Sequence, residues 1–243
     1  LRVVGRAAPL SVEYVNARRF DSEDEDPLGL GVNLVRFGAA AENPVTAWVA
    51  DAIWVVDARN TEETTSTAGA YVRFDTGRWR GRAEGYLQAS GAGTATLLGL
   101  SAGWVFGPNE RLVAHIRYDG FSGDDELPDG GRAPWRRVLG DTHRFNGLLD
   151  RFDDPAATDG RGLADLQLVV ESRPAPQLSA TFAVHRFWSP IDAGTYGIEL
   201  DASAGWSFSP FARFRGGGAW FVPDETFPDS RRLFGYVELD ATF

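Results

Sequence analysis

Residues Arg232 to Phe243 alternate, with Leu233, Gly235, Val237, Leu239, Ala241 and Phe243 on one parity and Tyr236, Glu238, Asp240 and Thr242 on the other. Successive strand side chains point to opposite faces, so this pattern predicts a strand with one apolar and one polar wall. The same period recurs in twelve segments: Leu10 to Phe20, Leu28 to Gly38, Val45 to Asp57, Ala68 to Asp75, Arg78 to Ser90, Thr94 to Phe106, Glu110 to Gly120, Gly162 to Ser172, Gln177 to Trp188, Tyr196 to Phe208, Phe211 to Val222 and Arg232 to Phe243. No helical period is sustained long enough to compete. The expected fold is all-β, an antiparallel up-and-down barrel whose last strand ends on an aromatic, with lipid outside and water inside.

The two faces keep distinct chemistry. Arg78, Arg80, Arg82, Glu84, Tyr86, Gln88 and Ser90 oppose Trp79, Gly81, Ala83, Gly85, Leu87 and Ala89. Further on, Glu199, Asp201, Ser203 and Ser207 oppose Ile198, Leu200, Ala202, Ala204, Trp206 and Phe208, and Arg213 and Arg215 oppose Phe214 and Trp220. Small residues dilute the apolar face, but charges avoid it. Trp48, Trp54, Trp79, Trp104, Trp206 and Trp220 mostly fall near segment ends on the apolar parity, as interfacial girdles require. The competing reading is a soluble β-sandwich or ligand-binding β-barrel, in which the apolar face is core and the charged face is wet.

Connection lengths add direction. Thr76-Gly77, Gly107 to Asn109, Arg173 to Pro176, Ser209-Pro210 and the less regular Ala39 to Pro44 are short. They alternate with the longer, acidic Asp21 to Pro27, Ala58 to Thr67, Phe121 to Arg161, Ser189 to Thr195 and Pro223 to Arg231, and only Gly91 to Gly93 breaks the scheme. Bacterial barrels join an even number of strands by short periplasmic turns and long external loops. The pattern therefore predicts one transmembrane barrel domain over residues 1–243, both termini periplasmic, with a long external loop at 121–161.

Composition narrows the chemistry. The 243 residues contain no Cys, so neither disulfides nor thiol catalysis is available, and with no Lys every one of the 24 basic residues is Arg. Mean hydropathy is −0.23 with 28 Gly, a balance that a barrel reaches by being apolar on one face only. The net charge of −10 argues against nucleic acid as a partner. The acidic loops, such as Asp21 to Asp26, carry no DxDxDG spacing, so no metal site and no cofactor is expected. They suit solvated loops or contacts with lipopolysaccharide through bridging cations. His115, His143 and His185 are the only histidines, and no GxSxG, HExxH or phosphate-binding glycine loop occurs, so no enzyme activity is expected.

Three stretches carry a family resemblance: Tyr118 to Asp125 (YDGFSGDD), Leu139 to Asp150 (LGDTHRFNGLLD) and Gly162 to Asp165 (GLAD), with HRFWSP, GIELDASAGW and ELDATF further on. They resemble the alginate export family of outer-membrane porins, over roughly Val45 to Phe243. The resemblance implies a Gram-negative outer-membrane channel, in a family that includes exporters of an anionic polyuronate. The exporters' barrel has more strands than 243 residues supply, so it implies a shortened member or the C-terminal part of one.

The inward parities then name the pore-lining and solute-binding candidates: Arg73, Arg78, Arg80, Arg82, Arg111, Arg117, Arg213 and Arg215, with Glu84, Asp119, Glu199 and Asp201. Rings of Arg favour anions and rings of Asp or Glu favour cations. Both signs are plentiful on these parities, without a basic excess, so an anion constriction, a transverse field and plain cross-strand pairing all stay open. The loop at 121–161 adds Trp135, Arg136, His143, Arg144 and Asp150, to meet a solute at the mouth or to brace the loop's own turns. The expected function is passage of polar or anionic small solutes or saccharides, polyuronate among them. The alternatives are a plugged, structural or adhesive barrel, and the soluble ligand binder. Oligomeric state is left open.

Overall fold

Alternation is realised as strand along nearly the whole chain. The computed structural model describes residues 1–18, 31–43, 46–58, 64–107, 111–124, 133–135, 146–152, 158–225, 227 and 231–241. Within them run β1 (Arg2–Ala7), β2 (Leu10–Arg18), β3 (Gly31–Glu42), β4 (Ala47–Asp57), β5 (Thr65–Asp75), β6 (Trp79–Ser90), β7 (Gly93–Phe106), β8 (Leu112–Phe121), β9 (Leu163–Ala175), β10 (Leu178–Trp188), β11 (Thr195–Ser209), β12 (Ala212–Pro223) and β13 (Arg232–Ala241). Each strand pairs antiparallel with the next, in one sheet of 13 strands whose edges are β1 and β13.

The twelve expected segments correspond to β2 through β13, and β1 is an addition. It pairs with β2 from Arg2↔Val15 to Ala7↔Leu10. Six residues mixing Arg and Val on one parity, cut off at once by Pro9, carry too little periodicity to be read as a strand. The thirteenth strand corrects the expected placement of the termini. β1 begins at the rim with the longer connections and β13 ends at the rim with the short turns, so Leu1 and Ala241 lie at opposite rims. Phe243, which prompted the closing-strand reading, lies outside the described residues.

The face that was read as apolar is open to the surroundings. Leu87 is 66% exposed, Ile116 62%, Leu168 50% and Val237 75%. Ile116, Leu168, Val184 and Leu200 are successive cross-strand partners on this face, from β8 to β11. Aromatics border it on both sides. Trp48, Trp79, Trp104, Trp206 and Phe208 lie towards the short-turn rim, with Trp79 edge-on to Trp104 at 4.1 Å between ring centres. Trp54, Tyr118, Trp188 and Trp220 lie towards the other rim, Tyr118 and Trp188 being 6.1 Å apart. A soluble barrel would have buried this surface, whereas an apolar band between two aromatic rows is what a bilayer covers.

Buried apolar side chains gather on the opposite, inner face, near the long-connection rim. Phe121, Leu163, Phe187, Tyr196 and Phe221 of the wall close around Phe152, which comes from the β8–β9 connection, and Phe227 from the β12–β13 connection completes the group. The opposite rim turns tightly, as at Gly77, whose positive φ of 76° fits the two-residue reversal between β5 and β6.

Candidate solute-facing wall and the loop docked on it

Three consecutive rows of cross-strand partners put most of the charge at one level of the inner face. Tyr71, Glu84, Gly99, Asp119 and Asp165 form one row, and Arg73, Arg82, Ser101, Arg117, Gln167, His185 and Glu199 the next. Asp75, Arg80, Gly103, His115, Val169, Ala183 and Asp201 form the third. Inward parity on neighbouring strands is enough to build this belt, because register is fixed by the apolar outer face.

Within the belt, ion pairs bridge strands. Arg36 on β3 forks onto Asp51 at 2.9 and 2.8 Å. Arg82 donates to Asp119 at 2.6 Å and lies 3.5 Å from Glu84, while Arg80 meets Asp75 at 3.1 Å and Arg117 meets Glu171 at 3.1 Å. On the far strands Arg213 donates to the Ser179 hydroxyl at 3.0 Å, and Arg215 reaches Glu238 and Asp240 at 2.8 and 2.9 Å. The Arg82 group fits only because Gly99 lies beneath it. A Cβ at Gly99 would stand 2.7 Å from Glu84 Oε1 and 3.0 Å from Asp119 Oδ1. Gly99→Val is expected to cost about 1–3 kcal/mol, by the overpacking that follows, and denaturant unfolding of the refolded protein measures it.

Five of the carboxylates lie deep. Asp165 and Glu199 are 0% exposed, Asp119 2%, Asp201 6% and Asp51 8%. The side chains of Arg80, Arg117 and Arg36 stay 27%, 29% and 42% exposed, and Arg73 is exposed too. Other acids stay as open as their partners: Asp75 and Glu171 are 25% and 41% exposed, and Arg82 at 13% lies as deep as Glu84 at 11%. A recess of about 410 Å³ borders Arg36 and Arg82 with Glu13, Asp51 and Glu84, and one of about 320 Å³ borders Arg73, Arg80, Arg82 and Arg117 with Asp119 and Glu171.

The β8–β9 connection folds over part of this face. Its Leu148 and Leu149 amides donate to Asp201 Oδ2 and Glu199 Oε1, each at 3.0 Å. Gly147 is required twice over, by its positive φ of 83° and because a Cβ there would stand 2.3 Å from Glu199 Oε1. Phe152 then inserts among the rings of Phe187, Tyr196 and Phe221, 4.7, 5.5 and 6.0 Å away between centres. Asn146, fully buried, donates to the Phe152 carbonyl at 2.7 Å. Elsewhere the connection is tied down by Ala133 N–H to Thr94 O at 2.7 Å and Ser122 Oγ to Ala133 O at 2.9 Å.

A hydrogen-bonded chain links the arginine belt to this dock. Arg82 holds Asp119, Gln167 donates to Asp119 at 3.1 Å and to Asp165 at 2.7 Å, and His185 sits between Asp165 at 2.9 Å and Asp201 at 3.4 Å. Outside the strands, the β10–β11 turn is braced by Asp192. Its carboxylate, beside the Ser189 hydroxyl and accepting the Gly194 amide at 3.0 Å, is held below the usual carboxylate range.

Of the twelve wall residues named from sequence, Arg73, Arg80, Arg82, Arg117, Glu84, Asp119, Glu199 and Asp201 belong to the belt, while Arg213 and Arg215 face the same way on β12. Arg78 sits exposed in the β5–β6 turn and Arg111 exposed just before β8, both at the short-turn rim. In the loop, Trp135 packs beside the apolar cluster and Asp150 adopts a positive φ of 50°, whereas Arg136, His143 and Arg144 lie outside the described residues. Asp165 lies on the inward parity that sequence assigns to it, whereas Gln167 and the bridging role of His185 are additions. Their one sequence signal is inward parity, shared with residues of no special role.

No family model matches the chain, and no curated protein does. Solved structures do. The chain is similar to Pseudomonas aeruginosa OpdK, solved with vanillate, at 14% identity and a TM-score of 0.58 over 98% of this chain and 68% of that one. It is similar to P. aeruginosa OccK11 (OpdR) at 14% identity and a TM-score of 0.56, over 100% and 71%. The NanC porin aligns at 11% identity and a TM-score of 0.42, over 87% and 94%. At these identities the OpdK and OccK11 likenesses establish the fold, an antiparallel up-and-down porin-type sheet.

Proposed function

We propose that this chain forms a channel in a Gram-negative outer membrane, with lipid and lipopolysaccharide around it, and that it passes small polar solutes with a preference for anions. Sugar acids and polyuronates are among the anions that would suit it, as the resemblance to the alginate export family implies. The observation that carries the reading is the recess of about 320 Å³ in which Arg73, Arg80, Arg82 and Arg117 outnumber Asp119 and Glu171, with Asp119 buried. Asp75 and Glu171 share the accessible surface with these arginines, so the anion preference follows from the excess of guanidinium groups around that recess, which attract and fork onto carboxylates. The role needs no catalytic group.

Planar-bilayer recording of the refolded protein tests it. Stepped currents with a reversal potential favouring chloride over potassium are expected, together with block by oligo-uronates. Arg73→Glu is expected to lower the chloride-to-potassium permeability ratio by about twofold or more, because Arg73 lies directly opposite Arg82 and faces the basic recess. A folded protein that never conducts would transfer the reading to a plugged or structural barrel, the role that the docked loop would serve.

A further inference from the structure

We infer that Arg186, with Tyr118 and Trp188, forms a site on the lipid-facing wall for a phosphoryl group of the external leaflet's saccharolipid. The inference rests on the outer-membrane reading above and adds a lipid ligand to it. On the outward parity of β3 through β13, Arg186 is the one charged side chain among the described residues. It is exposed, and its cross-strand partners Leu166 and Ile198 are apolar and 44% and 42% exposed. No hydrogen bond or ion pair reaches Arg186 from the described residues. An ionised group on such a face is costly unless something outside the protein solvates it.

The height of Arg186 on the wall points to a headgroup. Trp188 stands two residues further along β10, about 7 Å nearer the rim with the longer connections, the external rim of a bacterial barrel. Trp188 and Tyr118 lean together, 6.1 Å between ring centres, across two small residues of the same face, Gly120 and Ala164. Ala164, between them, is 0% exposed. A Cβ on Gly120 would stand 2.7 Å from the Tyr118 hydroxyl, so the phenol points along its strand toward that rim. Amphipathic rings of this kind sit at headgroup level. The Arg186 stem, flanked by Leu166 and Ile198, snorkels along apolar surface and carries the guanidinium up to the same level.

The donors that meet there are a guanidinium fork and a phenol hydroxyl, and no carboxylate shares the outward parity with them. A phosphoryl group, with several acceptor oxygens, takes the forked pair and a third hydrogen bond. The contrast between the two rims decides which lipid carries it. Trp48, Trp79, Trp104 and Trp206 line the same face toward the short-turn rim with no outward charge beside them. The cation thus marks the external leaflet alone, which in an outer membrane is built of phosphorylated saccharolipid.

Native mass spectrometry of the full chain, refolded in detergent and titrated with diphosphoryl lipid A, tests the site, with folding and vesicle insertion checked by heat-shifted gel migration. The parent is expected to retain one lipid A. Arg186→Gln is expected to weaken binding by about tenfold or more and Tyr118→Phe by about threefold, the losses of a charged and of a neutral donor. Arg186→Lys keeps a point charge without the fork and is expected to fall between the parent and Arg186→Gln. Lipid A stripped of both phosphates is expected to bind the parent no better than the intact lipid binds Arg186→Gln, and phosphatidylglycerol to bind the parent more weakly than lipid A does.

Equal retention of lipid A by the parent and by Arg186→Gln would overturn the inference, and so would equal retention of the intact and the dephosphorylated lipid by the parent. Phosphatidylglycerol bound as tightly as lipid A, with the same dependence on Arg186, would overturn the assignment to saccharolipid. A parent that never enters vesicles would overturn the membrane reading itself, whereas one that inserts and binds no lipid A would overturn the inference alone.

Discussion

Placing an arginine on the outer face at mid-height, by Leu168→Arg, is expected to destabilise the folded protein in lipid by about 2–4 kcal/mol and to block its insertion into vesicles. Leu168 is 50% exposed, stands between Ile116 and Val184 on neighbouring strands, and lies in the band between the two aromatic rows. A guanidinium there has only hydrocarbon to solvate it, and from the middle of the band it has the longest reach to either interface. Ser203→Arg, on the inner face of β11, is the matched control and is expected to alter selectivity while leaving insertion intact. Unfolding in urea from phospholipid vesicles, read by tryptophan fluorescence, gives both numbers. Equal tolerance of the two substitutions would mean that the outer face does not meet lipid.

Phe152→Ala is expected to cost the loop's docking about 3–5 kcal/mol, enough to release it from the wall while the strands stay paired. Phe152 is 4% exposed, surrounded by Phe187, Tyr196, Phe221 and Phe227, and its carbonyl is held by Asn146. The substitution empties an aromatic site enclosed by those four rings. Limited proteolysis of the vesicle-embedded protein measures the result. Cleavage within residues 122–162 should appear quickly in the variant and slowly in the parent, with the remaining fragments still resistant. Identical digestion patterns would show that Phe152 does not anchor the connection.

Parity was the legible part of this molecule. Which residues of β6, β11 and β12 face out and which face in followed from alternation alone, because an outer apolar surface leaves no freedom to slip register by one residue. β1 escaped notice because alternation over six residues is too short a signal. The belt was half legible. Sequence names Arg73, Arg82, Asp119 and Glu199 as inward, but parity has no depth coordinate, so it could not say that Asp119 and Glu199 lie buried while Arg73 stays exposed. The dock was not legible at all. One oxygen each of Asp201 and Glu199 is capped by the main-chain amides of Leu148 and Leu149, and every residue other than proline offers such an amide. The motif around Asn146, Gly147 and Asp150 marks the place in retrospect: the first fixes the Phe152 carbonyl, and the other two take left-handed backbone angles that few residues tolerate.

The odd strand count among the described residues has a geometric corollary at the two edges. Neighbours alternate in direction through all 13 strands, so β1 and β13 point the same way. Brought together directly, they would form a parallel ladder with slanted, evenly spaced hydrogen bonds, the sole parallel pair in an otherwise antiparallel wall. A seam of uniformly antiparallel character takes an odd number of intervening strands, whatever their origin. Amide exchange along Val3 to Arg6 and Leu233 to Leu239, compared between detergent and bilayer, distinguishes a paired seam from two open margins.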